Sequence, residues 1–209
     1  MSPPERGAER DAAIPALLPH VPFDGWTFRA VRAGLADIGA APEDAAQLFP
    51  GGAPDMIEAF GDWADRRMEE AAAALDPALR LHQRVRAVIA LRLEQNRPHK
   101  EAIRRAMALL ALPGNARLSA ACTARTVDAI WHAAGDRSTD FSWYTKRAIL
   151  AAVYGATVLY WLRDTSEDDA ATLAFLDRRL AEVGRIGRVR HRVETAMGRF
   201  IPWRRPAPA

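Results

Sequence analysis

Apolar residues recur every three to four positions along nearly the whole of this 209-residue chain, and no stretch alternates in the two-residue rhythm of a half-buried strand. That spacing commits the chain to an all-α fold, about nine helices packed on one another. The periodic segments run over 6–18, 27–38, 42–49, 54–74, 77–95, 98–111, 116–134, 141–163 and 167–197. Their ends are marked. Pro19 and Pro22 close the first, Gly39 the second and Pro50–Gly51–Gly52 the third. Pro113–Gly114–Asn115 separates two more, and Gly135 stands just past a helix end. Asp140 or Ser142 suits the cap of the 141–163 helix, and Thr165 or Ser166, ahead of Glu167–Asp168–Asp169, suits the next start. Core stripes include Val85, Val88 and Ile89, then Ile103, Met107 and Leu110, then Val127, Ile130 and Trp131.

The longest apolar run, Ala148 to Leu162, has fifteen residues between basic and charged flanks. A bilayer span needs roughly 18–20, so this segment reads as a buried helix. The opening residues, MSPPERGAERD, carry charges of both signs and do not read as a secretory signal. A single cysteine, Cys122, leaves no intramolecular disulfide framework and suits a reducing compartment.

Charge is unevenly placed. From Arg178 onward there are nine arginines and two glutamates, +7, so the remainder of the +3 chain is −4. On a helical wheel of the tail, Ile186, Val189, Val193, Met197, Phe200 and Ile201 fall within roughly 60° of one line. Arg185, Arg188, Arg192 and Arg199 cluster opposite them. An apolar stripe beside an arginine face describes an amphipathic C-terminal helix that lies in an anionic membrane interface. The competing reading docks the same helix on the core.

Little in the chain points to catalysis. The five histidines show no metal-ligand spacing, no Glu-x-x-His pairs recur, and no glycine-rich phosphate loop is present. Cys122 has no activating neighbour in sequence. No catalytic residue, cofactor or metal is expected.

Residues 25–60, GWTFRAVRAGLADIGAAPEDAAQLFPGGAPDMIEAF, resemble the helix-turn-helix head of TetR-type regulators. A recognition helix must meet phosphate with basic side chains. The candidate here, Pro42 to Phe49, carries Glu43 and Asp44 and no lysine or arginine, and residues 24–60 sum to −4. DNA binding is the weaker reading, and no nucleic acid is expected as a partner. A transcriptional regulator stays as the alternative function, and a helical dimerisation module as a third.

The stretch DAIWHAAGDRSTDFSWYTKRAILAAVYGATVLYWLRDTSEDDAATLAFLDRRL, residues 128–180, resembles the C-terminal domain of the coenzyme Q biosynthesis protein nine family. Upstream, NRPHKEAIRRAMALLALPGN at 96–115 resembles the family's preceding helix and turn, and the TetR-like head belongs to the same pattern. The chain departs from it at Val158 and Leu173. The resemblance implies a non-catalytic protein that binds isoprenoid quinone intermediates or phospholipid and assists the demethoxyubiquinone hydroxylase. It would sit peripherally on a bacterial inner membrane or on the mitochondrial matrix side, and could form a homodimer.

On this reading the chain divides into a head (1–60), a lipid-binding domain (61–181) and a basic amphipathic end (182–209). The lipid candidates are Trp131, Leu150, Tyr154, Val158 and Trp161, for which core filling is the competing role. The partner candidates are Asp136, Asp140, Trp143, Tyr144, Lys146 and Arg147. Adjacent helical positions point about 100° apart, so Trp143 and Tyr144 are both buried only if that turn is enclosed on two sides. At least one should reach the surface, as hot-spot aromatics do. Arg147 is also placed to hold the turn by pairing with Asp140 or Asp136.

Overall fold

The computed structural model describes residues 5–136 and 142–184, and among these there is no strand. The helices are α1 (Ala8–Leu17), α2 (Val21–Asp24), α3 (Phe28–Asp37), α4 (Ala45–Leu48), α5 (Ala53–Ala72), α6 (Leu81–Asn96), α7 (Lys100–Leu110), α8 (Ala116–Ala133) and α9 (Ser142–Trp161). A last helix, α10, occupies 170–184.

Most of these spans follow from the periodicity, and the departures have local causes. Pro19 and Pro22 do not simply end α1. Pro22 sits in the first turn of the short α2, where its missing N–H costs nothing, and Gly25 at φ 71° stops that helix. The expected helix over 42–49 is a 3-10 turn, Pro42–Asp44, followed by the single turn of α4. Helix α6 starts at Leu81 rather than 77, after Arg80 N–H donates to the Gln83 side chain at 3.0 Å. Gly39 and Gly135 hold positive φ, 70° and 79°, as helix stops require. Ser166 precedes the final helical segment, and its hydroxyl accepts from Ala171 N–H at 3.0 Å.

Two apolar clusters share α5. The first gathers Ile14, Leu17, Val31, Phe49 and Phe60 with Ala102 and Ala106. The second begins at Met68 and collects Val88, Ile89, Ile130, Leu150, Trp161 and Leu176. Trp26 ties head to body: its indole N–H donates to Ala102 O at 3.0 Å, and its ring lies 5.6 Å from that of Phe60. Arg10, 5% exposed, donates to Leu48 O at 2.6 Å, pairs with Asp55 and lies over the Phe49 ring.

Helices α1 and α3 meet at Gly34. A Cβ there would lie 2.6 Å from the backbone carbonyl of Ala16 and 2.7 Å from Leu17 N. Backbone cannot swing aside as a side-chain tip can. Gly34→Ala should therefore destabilise the protein by roughly 1–3 kcal/mol, the usual cost of overpacking, measured as a lower urea midpoint.

Candidate functional site

Helix α9 is apolar nearly all round, so neighbours must cover it on several sides. Helices α6, α8 and α10 do so, but incompletely. Between α6, α9 and α10 a groove of about 890 Å³ remains. Its walls include Val85, Trp131, Leu150, Val153, Leu180 and Val183, and Arg86 closes one rim by pairing with Asp177 at 2.9 Å. Ile149 and Leu81 line it while partly exposed to solvent.

The five lipid candidates do not share one space. Trp131 and Leu150 line this groove, whereas Tyr154, Val158 and Trp161 line a smaller interior cavity one to three turns further along α9. The cause is helical geometry: Leu150, Tyr154, Val158 and Trp161 lie on one face, but that face passes from α10 toward α5 and α7 as the helix advances.

Of the partner candidates, Trp143, Tyr144, Lys146 and Arg147 share the first turns of α9, while the Asp136 side chain beside them is only 7% exposed. Tyr144 is 75% exposed, Trp143 is half-buried, and their rings meet edge to face with centroids 4.7 Å apart. The Arg147 guanidinium lies 3.6 Å over the Trp143 ring and pairs with Asp128 on α8, a partner the sequence reading did not consider. Asp136 pairs instead with Lys146 at 3.9 Å. Trp143 and Arg147 also border a second concavity, of about 640 Å³, against α7 and α8. Exposed Leu112 stands on its edge. Asp140 lies outside the described residues, as do the membrane candidates Arg185, Ile186, Arg188, Val189, Arg192, Val193, Met197, Arg199, Phe200 and Ile201.

Residues 116–187 match the COQ9 family model. The chain is 32% identical over 190 residues to the rat protein named ubiquinone biosynthesis protein COQ9, mitochondrial, covering 87% of this chain and 61% of that one. The human protein of the same name is 32% identical over 190 residues, covering 87% and 59%. The Schizosaccharomyces pombe protein is 34% identical over 180 residues, covering 84% of this chain and 70% of its own length. The chain belongs to the COQ9 family. It spans about three fifths of the length of the rat and human relatives. In three dimensions it is similar to a TetR transcriptional regulator from Nitrosomonas europaea, with a TM-score of 0.66 at 21% identity, covering 84% of this chain and 98% of that one. The fold is TetR-like. Among the described residues no helix is long and apolar enough to cross a membrane.

Within this COQ9 chain the structure adds one feature that the sequence reading missed. Asp65 of α5 and Arg92 of α6 are both buried and pair at 2.6 Å. The Thr126 hydroxyl donates to Asp65 at 3.0 Å, and Arg92 Nε donates to the Tyr154 hydroxyl at 2.7 Å. Four helices are thereby linked by one polar chain. The signal was present: Arg92 falls seven residues after Val85 and three after Ile89, on the apolar stripe itself.

Burial pushes the Asp65 carboxyl up to about 6, with Arg92 and the Thr126 hydroxyl pulling the other way. In the unfolded chain the carboxyl titrates at its ordinary 3.8. Between those values the folded state binds the proton more tightly, so the stabilisation is present below 3.8 and lost as pH rises through about 6. Asp65→Asn has no proton to exchange. The stability of the wild type relative to Asp65→Asn should fall by roughly 3 kcal/mol as pH rises across this window, read from urea midpoints at each pH.

Proposed function

We propose that this chain is a non-catalytic accessory protein of ubiquinone biosynthesis that holds an isoprenoid quinone intermediate, or a phospholipid, and presents it to the demethoxyubiquinone hydroxylase. The observation that carries the reading is the apolar groove between α6, α9 and α10. Its volume, about 890 Å³, suits an extended lipid and lies within the ~300–1,000 Å³ usual for ligand sites. The names of the rat and human relatives supply the pathway.

The surface around Tyr144 supports a protein partner. An exposed tyrosine set edge to face on a tryptophan, itself fixed beneath an arginine, is a rigid aromatic anchor that loses little freedom on binding. The tail's arginine face and apolar stripe support contact with an anionic membrane surface, close to where such a lipid resides. DNA readout has less support. Helix α4 is one turn long, and Glu43 and Asp44 stand exposed beside it, where a phosphate backbone would meet them.

Two measurements test the proposal. Organic extraction of the purified full chain should yield an isoprenoid or phospholipid by mass spectrometry, and Ile149→Arg, at the groove wall, should purify with at most about a tenth as much; an arginine head in that apolar wall is costly to bury. Equal lipid loading in both would remove the groove from the reading. Tyr144→Ala should weaken binding to the hydroxylase by about 2 kcal/mol while shifting stability by no more than about 0.5 kcal/mol. Unchanged affinity would show that the partner docks elsewhere.

A further inference from the structure

Helix α10 is held to the body more by polar attachments than by packing. Of residues 170–184 only Thr172 and Leu176 are buried, and Leu180 and Val183 line the groove, half-buried. The Thr172 N–H and hydroxyl both donate to Asp164, which fastens the first turn. Midway along, Asp177 pairs with Arg86 of α6, but both side chains are well exposed, so this pair adds little resistance to separation. An element with so few buried contacts opens at a fraction of the free energy of global unfolding.

The strongest attachment is the corner between α9 and α10. Arg97, in the turn between α6 and α7, donates Nε to Asp169 and Nη1 to Asp168, each at 3.0 Å. Lys100, at the start of α7, donates to the same Asp169 carboxylate at 2.7 Å and to Asp164 O at 3.1 Å. Asp169 is buried, and each of its carboxylate oxygens meets a cation. The backbone beneath these carboxylates is strained. Asp168 and Asp169 stand in succession at φ 51° and 56°, the only non-glycine residues at positive φ among the described residues. Asp and Asn visit this left-handed region singly; two in a row is unfavourable. Such strain persists only where the surroundings over-determine it, and here the surroundings are Arg97 and Lys100. Released from those cations, the backbone would leave this conformation.

We propose that the α9–α10 corner is a strained, charge-held latch: engaged by Arg97 and Lys100 it keeps α10 against α6 as a wall of the groove, and released it lets α10 swing out. The hinge is the segment 162–169. Val183 lies fourteen residues beyond Asp169, roughly 21 Å along the helix, so a rotation of about 20° at the corner moves it by about 7 Å. Thr172 and Leu176 lie closer to the hinge and move less. The groove therefore opens from its Val183 end. The use of that opening, admission of an apolar chain, rests on the groove reading above; the mechanics of the latch do not.

The test is hydrogen exchange of the full chain read by mass spectrometry, with α5 as the internal reference. Arg97→Gln and Lys100→Gln each unfasten the latch without cutting the chain. Each should speed exchange of residues 170–184 by about tenfold or more and leave α5 unchanged. Asp168→Gly accepts the left-handed backbone freely and gives up only an exposed pair, so it should slow exchange of the same residues. A thiol placed in the groove wall reports the opening itself. Val153 is 7% exposed and lines the groove. In a Cys122→Ser background, Val153→Cys should react with dithiobis(nitrobenzoate) about tenfold faster once Arg97→Gln is added. The latch is overturned if residues 170–184 exchange no faster in either unfastened variant, or if α5 accelerates equally. It is also overturned if Asp168→Gly speeds exchange, or if the Val153→Cys thiol reacts no faster. Neither readout involves lipid. Equal lipid loading of wild type and Ile149→Arg would remove the groove as a lipid site and leave these rates, and the latch, unchanged.

Discussion

Helix α9 is the constraint around which the rest of the body is arranged. A twenty-residue helix with apolar side chains in nearly every direction is stable in water only if other helices wrap it. Helices α6, α8 and α10 bury Leu150, Val153, Val158 and Trp161. They cannot close completely around a cylinder that sets Ala148, Ala151, Ala152, Gly155 and Ala156 among larger aliphatic and aromatic side chains. Among the gaps that remain are the groove beside Leu150, the concavity beside Trp143 and the recess beside Tyr154 and Gly155. Recesses in this fold are thus a consequence of how the helix must be buried. The same helix leaves Leu159 and Tyr160 toward solvent at its far end, with Tyr160 stacked on Phe175 of α10 at 4.6 Å.

How much of this was legible in the sequence depended on whether the determinant was local. Helix spans followed from spacing, and Gly39 and Gly135 from the left-handed backbone that a helix end needs. The exposure of Tyr144 followed from the 100° step between neighbours on a helix. What escaped was set by tertiary position. Helix α2 is only one turn, too short to show a period, and two prolines disguised it as a break. Arg147 pairs with Asp128, nineteen residues back on α8, because antiparallel packing brings those turns together. The division of Trp131 and Leu150 from Tyr154, Val158 and Trp161 depends on which helix crosses α9 at each level, and no stripe on a single helix records that.

In the head, fold and side-chain chemistry are separate questions. Its backbone is TetR-like, and its packing is firm: Arg10 and Trp26 are buried, and Gly34 lets α1 and α3 approach to backbone contact. Its α4 is a single turn, and the turn before it carries Glu43 and Asp44. Fold similarity at 21% identity carries the architecture only, since function resides in side chains placed on it.

The buried ion pair raises a final point about why a cavity persists there. Exchanging such a pair for well-packed apolar residues is often neutral or stabilising, whereas removing one partner alone is costly. Stability by itself therefore does not account for Asp65 and Arg92 in the middle of an otherwise apolar bundle. Position does. Arg92 is the residue that orients the Tyr154 hydroxyl, Asp65 is the residue that holds Arg92, and Thr126 braces Asp65 from α8. The chain of contacts ends at a cavity wall rather than in packed core. An apolar replacement of the pair could preserve the fold, but it would leave the tyrosine hydroxyl without the partner that fixes it.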